Sequence, residues 1–584
     1  MAPAPTATTL GGEGTTSHRL ATTVAGNGAH EGAFKAMVGN KAGVAKNAAR
    51  YVLAPDVTAE AFEAFIDEAK QAVGADNVHV NLSASIEDHE RGDYLHQPRF
   101  HDFFPIDELD KYMASAAIQP ASVEEVQAIV RAANKHGQPL HTVSIGRNLG
   151  YGGSSPRLRG TAILDLKRMN KILEINEKSA YALLEPGVSY FELYEHLQKT
   201  GSNLWVDCPD IGWGSVVGNA CDRGAGYTPY GDHWMFRSGL EVVLPNGELV
   251  RTGMGALPDN DTWQCFPYGF GPYHDGIFSQ SNLGIVTKMG IWLMPNPGGY
   301  EPFLITVPRK EDLGPMMDII GQLRVRMVIQ NAPTVRHVLL DAACLKSKAQ
   351  WTGSDTGAPL GEEEIEKIAR ELNLGYWGFY GALYGPEPVR QGIWQAIWGS
   401  FQQISGAKSF FEKDVGPESI LHSRAKTLAG IPNLLELDWI SWRENGAHNF
   451  FSPISAVTGE AAVAQVQLVE EKARKYGFDF MNTLIVGLRE LHNINCLVYN
   501  RESKEERDRM RACIHELIDE AAAKGWGEYR THNEFMDHVA GTYNFNNGAL
   551  AKLNDTLKDA LDPNGILAPG KCGVWPKRYR GRNL

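Results

Sequence analysis

The chain has 584 residues and a mass of 64.2 kDa, more than one ordinary hydrophobic core supports, so two large domains or one with a big insertion are expected. Hydrophobic residues make up 43% and charged residues 21%, which excludes disordered, collagen-like and coiled-coil chains. Lys+Arg total 56 against 69 Asp+Glu, and a net charge of −13 argues against a nucleic-acid partner.

In chain order, residues 1–45 are rich in Ala, Gly and Thr and read as a flexible tail, with a poor transit peptide as the other reading. The C-terminal Arg-Asn-Leu is at best a degenerate peroxisomal signal, so a cytoplasmic protein is expected and a peroxisomal one is the second reading. No apolar run reaches 18 residues, so no membrane span is expected. The seven cysteines are scattered and form no CxxC pair, which suggests neither a zinc site nor a disulfide framework.

Residues 57–75 carry an amphipathic helical pattern with Phe62, Phe65 and Ile66 on one side. Ser122 and Glu125 predict a capping box ahead of Val126, Ile129 and Val130, and Gly137 a stop. A short buried strand over 140–144 leads into the Gly-rich stretch 144–153, and 162–166 and 181–184 read as further strands. Pro295-Asn296-Pro297-Gly298-Gly299 punctuates the chain. Beyond it, strand-like runs at 303–307, 336–340, 376–383 and 480–499 alternate with helices at 364–372 and 504–524. The fold class is α+β, with 297–524 as a second domain.

Ser144-Ile145-Gly146-Arg147-Asn148-Leu149-Gly150 follows a strand, and without Cβ atoms its backbone N–H groups can converge on a pyrophosphate. It matches neither GxGxxG nor GxxxxGK[ST], so a turn-rich connection is the competing reading. A second glycine cluster runs from Gly212 through Gly218 to Gly224 and Gly226, and two such loops suit a long nucleotide cofactor. Tyr529 and Arg530 are neighbours that could hold a phenolate or carboxylate, or be a core tyrosine beside a surface arginine. Asp207 and Asp210 flank Cys208-Pro209 as catalytic acids or as an Asx turn. His448 is a catalytic or a satisfied core histidine, and His96, His101 and Asp102 faintly resemble metal ligands without a fixed spacing, so no metal is expected.

Several long, ordered stretches resemble the vanillyl alcohol oxidase group of flavoproteins. They are 144–153, 226–234, 266–272, 279–286, 445–453, 525–532 and 562–571, and the resemblance spans about Tyr51 to Pro576. It implies a two-domain FAD-binding fold with a substrate cap domain inserted: 46–296 and 525–584 for the FAD-binding domain, 297–524 for the cap. In the FAD-binding role it places Ser144, Ile145, Gly146, Arg147, Asn148, Pro209, Asp210, Ser215, Gly224, Tyr227, Ile285, Arg530 and Lys571. His448 falls where the oxidases of the group carry the histidine bonded to the flavin 8α-methyl; the related 4-cresol dehydrogenases use a tyrosine.

By the same resemblance Tyr151, Tyr529 and Arg530 bind a phenolate, and Asp210 is the acid beside flavin N5. Tyr151, Tyr227, Phe450, Thr483, Ile494, Cys496 and Tyr529 line the substrate pocket. The implied reaction is hydride transfer from the benzylic carbon of a 4-substituted phenol to FAD through a p-quinone methide, with O2 reduced to H2O2. A dehydrogenase passing electrons to a cytochrome and a non-catalytic flavoprotein are the alternatives. Two departures stand out. No histidine in Arg99–Pro105 lines up with the family's flavinylation helper, and the segment between Pro258 and Phe266 is short where the type enzyme has an insertion that joins dimers into octamers. A homodimer is therefore expected.

Overall fold

The computed structural model describes residues 51–81 and 109–582. The N-terminal segment, the His96–Asp102 group, the Arg99–Pro105 stretch and the last two residues lie outside the described residues.

A four-stranded sheet opens the fold in the order β1 (Val78–Val80), β2 (Ala116–Ile118), β4 (Ala162–Asp165), β3 (Leu140–Val143). Strands β2, β4 and β3 are parallel and β1 is antiparallel to β2. Two helices pack with this sheet. The first, Ala59–Val73, buries Phe62, Phe65, Ile66, Ala69 and Val73, a stripe at helical spacing, and Thr58 caps it by accepting from Ala61 N at 3.2 Å. The second, Val123–His136, is capped by Ser122, which accepts from Glu125 N at 3.3 Å. The Glu125 carboxylate accepts from Ala121 N at 2.7 Å, one residue further out than a capping box requires. Gly137 ends the helix in the left-handed region at φ 68°. The far end of the chain returns to this layer: Leu567 bridges Leu140, and Ile566 and Leu567 join the core of Phe62, Ile129 and Leu164.

An antiparallel five-stranded sheet follows, ordered β5 (Ile172–Asn176), β6 (Tyr181–Leu184), β10 (Ile285–Trp292), β8 (Arg237–Val243), β9 (Leu249–Arg251). A two-stranded pair joins β7 (Leu204–Trp205) to β11 (Met294–Pro295). After Pro295 the chain enters a large antiparallel sheet whose path is β15 (Lys408–Phe411), β12 (Tyr300–Val307), β14 (Trp377–Tyr384), β13 (Thr334–His337), β18 (Asn482–Val486), β19 (Glu490–Asn500), β16 (Gly446–Phe451), with β17 (Ile454–Ala456) also on β19. Helices Leu313–Val325, Gly459–Lys475 and Lys504–Ala523 pack with it in one apolar core.

One expected strand changes its nature. Over 336–340 the sheet ends at His337, whose ring accepts from Leu339 N at 3.3 Å and starts the helix Val338–Leu345. The run Val338-Leu339-Leu340 is buried on all sides, and periodicity cannot separate a buried strand from a buried helix there.

All seven cysteines are unpaired. Among the described residues no helix is long and apolar enough to cross a membrane, and no group of three or more His, Cys, Asp or Glu could hold a metal.

Candidate active site

The loop after β3 is the floor of a deep cavity of about 320 Å3, within the range of small-molecule sites. Its glycines are there for approach as well as for turning. Gly150 has φ 75°, and a Cβ on it would collide with Nε2 of His448 and with the Phe450 ring. Gly152 has φ 94°, and a Cβ there would collide with the Asn533 amide, which donates to Ser155 O at 3.0 Å. The loop therefore lies flush against β16 on one side and against residues 529–533 on the other.

The roof is one face of the large sheet. Arg336 on β13 pairs with Thr483 on β18, which pairs with Ile494 on β19, and Cys496 of β19 pairs with Phe450 of β16. These five side chains line the cavity. Alternation along each strand delivers Ile494 and Cys496, and His448 and Phe450, to the same side. Burial pushes the Cys496 thiol up to about 12, so it stays protonated and acts as an apolar wall.

At one end, Tyr151 stacks on Phe450 with ring centroids 5.1 Å apart, and the Arg530 guanidinium lies 4.1 Å over the Tyr151 ring. Arg530 also donates to the Asn148 side-chain oxygen, and Tyr529 sits beside them, edge-on to His492 at 4.8 Å. Burial raises the Tyr151 phenol well above the usual tyrosine range; the nearby Tyr529 adds to this and Arg530 opposes it. Tyr529 is raised for the same leading reason. Both hydroxyls remain donors at neutral pH. Burial works against the Arg530 charge, but Tyr151, Asp222 and Tyr529 outweigh it and hold the guanidinium protonated.

At the other end is Asp210, next to Pro209. Tyr227 donates to its Oδ2 at 2.5 Å and Arg424 to its Oδ1 at 2.8 Å. Behind it a buried chain of charges continues. Arg424 bonds Glu436 at 3.1 Å, Glu436 bonds Arg336 at 2.6 Å, Arg336 bonds Asp341 at 2.6 Å, and Tyr380 donates to Asp341 at 2.7 Å. Two guanidinium groups face three carboxyl groups, one negative charge in excess in a buried volume. Burial, then Glu436, raises Asp210, whereas the two arginines hold Glu436 down against burial.

His448 lines the same cavity. It packs edge-on against Trp439 and Phe450, each at 4.8 Å, and neither ring nitrogen has a hydrogen-bond partner among the described residues. Burial, with Arg501 and His532 nearby, lowers it to about 3, so the ring is neutral at physiological pH. Further along the cavity Lys571 pairs with Asp222 at 3.5 Å, and Ser215 caps the short helix Val216–Cys221.

The FAD binding domain family matches residues 114–253, and the C-terminal domain of FAD linked oxidases matches 421–572. The chain is 35% identical over 526 residues to the flavoprotein subunit of 4-cresol dehydrogenase [hydroxylating] of Pseudomonas putida, covering 90% of this chain and 98% of that one. The chain belongs to the FAD-linked oxidase family. Among solved structures, the 4-ethylphenol oxidase from Gulosibacter chungangensis in complex with isoeugenol superposes with a TM-score of 0.86 at 41% identity, covering 90% of this chain and 100% of that one. The p-cresol methylhydroxylase with substrate bound superposes with a TM-score of 0.84 at 35% identity, covering 90% and 99%.

The two-domain FAD-binding architecture of such FAD-linked oxidases is the one seen here, and the residues present fit the cofactor. The Gly-rich loop borders the cavity, and buried polar atoms such as Arg530 Nε and Ser155 Oγ have no partner among the described residues. Ser144, Gly146, Arg147, Asn148, Pro209, Asp210, Ser215, Tyr227, Ile285, His448, Arg530 and Lys571 all line the cavity, as do Tyr151, Phe450, Thr483, Ile494, Cys496 and Tyr529. Two expected cofactor residues do not. Ile145 and Gly224 are not among the lining residues, and a Cβ on Gly224 would collide with the Asn219 side chain. Asp207 is structural: it bonds His233 at 2.5 Å and accepts from Thr228 N at 2.7 Å, which is neither an Asx turn nor a catalytic acid.

Arg424, Glu436 and Arg336 escaped the sequence reading. A signal was present: Arg424 lies at helical spacing between the buried Leu421 and Leu428, and Glu436 interrupts the apolar run from Leu434 to Leu437. Charges on an apolar face are seldom buried unless paired.

Proposed function

We propose that the protein oxidises 4-substituted phenols, taking hydride from the benzylic carbon. The carrying observation is that Tyr151, Tyr529, Arg530 and Asp210 converge on one cavity, with the cation and two phenol donors at one end and the carboxyl group at the other. A protein that merely bound flavin would need no such arrangement. The phenolic and alkylphenolic substrates named for the two similar structures and for the Pseudomonas protein support the same class.

The residues divide the work. A phenol near pKa 10 is neutral in water at pH 7, and two hydroxyl donors with a guanidinium stabilise its anion. The aryl-oxide pushes electron density to the para carbon, which weakens the benzylic C–H bond. Bound FAD supplies the hydride acceptor. Phe450, Thr483, Ile494 and Cys496 hold the ring and side chain and exclude water. With a p-quinone methide formed from the substrate, Asp210 takes the proton of an adding water, and the arginines behind it fix its orientation. For a 4-hydroxybenzylic alcohol the aldehyde arises without water.

Molecular oxygen as acceptor, hydrogen peroxide as product and an 8α link through His448 belong to this reading. The neutral, unpaired imidazole of His448 supports the link, because only a free lone pair can bond to carbon. Transfer to a cytochrome is the second reading, favoured by the 35% identity to a dehydrogenase flavoprotein subunit. A homodimer in the cytoplasm completes the proposal. The test is anaerobic mixing of flavin-loaded protein with 4-ethylphenol or vanillyl alcohol, then admission of air. Flavin bleaching followed by peroxide fits the oxidase; bleaching that air does not reverse fits the cytochrome-coupled enzyme; no bleaching by any phenol refutes both.

A further inference from the structure

Gln280 lies in the turn that leads into β10, and the mechanism above does not use it. Its backbone sits in the left-handed region at φ 46°, which glycine adopts freely and a residue with a side chain rarely does. The amide nitrogen spends both its donors on backbone carbonyls. It reaches Tyr529 O at 2.9 Å and Asp222 O at 3.3 Å. Gln280 N donates to Cys221 O at 2.9 Å, so backbone and side chain grip the same end of the helix Val216–Cys221. On one side of Gln280, Ser279 Oγ accepts from Arg223 Nε at 2.9 Å. On the other, Asn282 donates to Ala568 O at 3.0 Å and to Val574 O at 2.9 Å. From this anchored turn one bond crosses to Tyr529, 249 positions along the chain.

Tyr529 O belongs to the peptide that joins Tyr529 to Arg530. Neighbouring side chains of an extended segment point to opposite faces, yet both of these line the cavity, and the chain bends at 529–530. Rotation of that one peptide would turn the two side chains apart. Tyr529 N makes a long bond to Ser452 O, 3.4 Å, so the tighter restraint is the one from Gln280. We propose that Gln280 is a positioning residue for the phenol end: its amide sets the plane of the Tyr529–Arg530 peptide, and with it the aim of both side chains at one oxygen. The proposal rests on the phenol-binding reading above. Asp222, whose carbonyl takes the second amide bond, pairs through its carboxylate with Lys571, and both residues line the cavity. Gln280 thus ties the phenol end to another part of the same wall. A left-handed glutamine persists only where its surroundings hold it, and here the two carbonyls and Cys221 O do so.

The test compares two ligands without a benzylic C–H bond, 4-bromophenol and bromobenzene, titrated into flavin-loaded protein and followed by flavin absorbance. Bromobenzene lacks the hydroxyl that Tyr529 and Arg530 would meet. Gln280→Gly removes the amide and suits the left-handed backbone. It is expected to bind 4-bromophenol about 10-fold more weakly and bromobenzene as the wild type does. In anaerobic single turnovers, flavin reduction at saturating 4-ethylphenol should also fall by about 10-fold, because a small misplacement of the ring is costly. Gln280→Asn suits the left-handed region too, and its amide is one methylene too short for Tyr529 O. It should show the same losses, and it carries the test should Gln280→Gly not fold. Equal weakening of both ligands would mean that the turn only supports the fold. Unchanged affinity and reduction rate would mean that the peptide is held without Gln280. Either result overturns the proposal. If the wild type binds 4-bromophenol no better than bromobenzene, it is the phenol-binding reading that fails, and the proposal falls with it.

Discussion

The two ends of the cavity are built from opposite electrostatics. Around Tyr151 and Tyr529 one guanidinium serves hydroxyl donors, an arrangement short of negative charge. Around Asp210 two guanidinium groups serve three carboxyl groups, an arrangement with negative charge to spare. The first favours an anion that arrives with the substrate. The second raises the proton affinity of Asp210, which suits a base. Both are kept dry by the same sheet, so each charge is worth several times what it is in water. The contrast teaches that the ionisable residues of one site can be assigned roles by counting charges around each, before any substrate is placed.

Removing the cation should break the contrast most severely. Arg530→Ala is expected to lower kcat/KM for a 4-alkylphenol by about 10^3 while the flavin stays bound, as loss of a preorganised anion partner does. Near-normal turnover in steady-state assays would remove the basis for the phenolate end. At the other end, Asp210→Asn keeps the hydrogen-bonding shape but not the base. Turnover of alkylphenols should fall by about 10^2 with little change in the Kd of 4-bromophenol, and an equal loss of binding would mean that Asp210 serves the wrong end.

His448, in the same cavity, sharpens the comparison through pH. Its neutral form is lost only as pH falls through about 3, because burial depresses it. Flavin incorporation into apoprotein at pH 5 should therefore match that at pH 7, whereas a histidine of ordinary pKa would be almost fully protonated there. Acid-precipitated wild type should keep its yellow colour and His448→Ala should release it; a colourless wild-type pellet removes the histidyl link. The smallest effect is expected at the wall. Ile494→Val should shift the ratio of kcat/KM between 4-methyl- and 4-ethylphenol by about 1–2 kcal/mol, read in competition assays.

Much of the site was legible because short segments carry it. The glycines of 144–153 mark a loop of close approach, and Tyr529-Arg530 are adjacent. What was not legible closes over long separations. Arg424 meets Asp210 across 214 positions, Arg336 meets Glu436 across 100, and Arg530 meets Asn148 across 382. Asp207 and Asp210 show the limit well. Three positions apart and alike in sequence, one is spent on His233 and Thr228 and the other faces the cavity.

The sequence by itself determined the local decisions: the helix start at Ser122, its stop at Gly137, and the Gly-rich loop after β3. These follow from backbone preference and side-chain periodicity, which act within a few residues. Only the tertiary structure decided that the run after His337 is a helix, that Gly224 packs against the Asn219 side chain, and that Asp210 has two arginines and two further carboxyl groups behind it. Burial and charge are properties of whatever the folded chain brings within a few ångströms, and for Asp210 and His448 those neighbours come from segments distant in the chain.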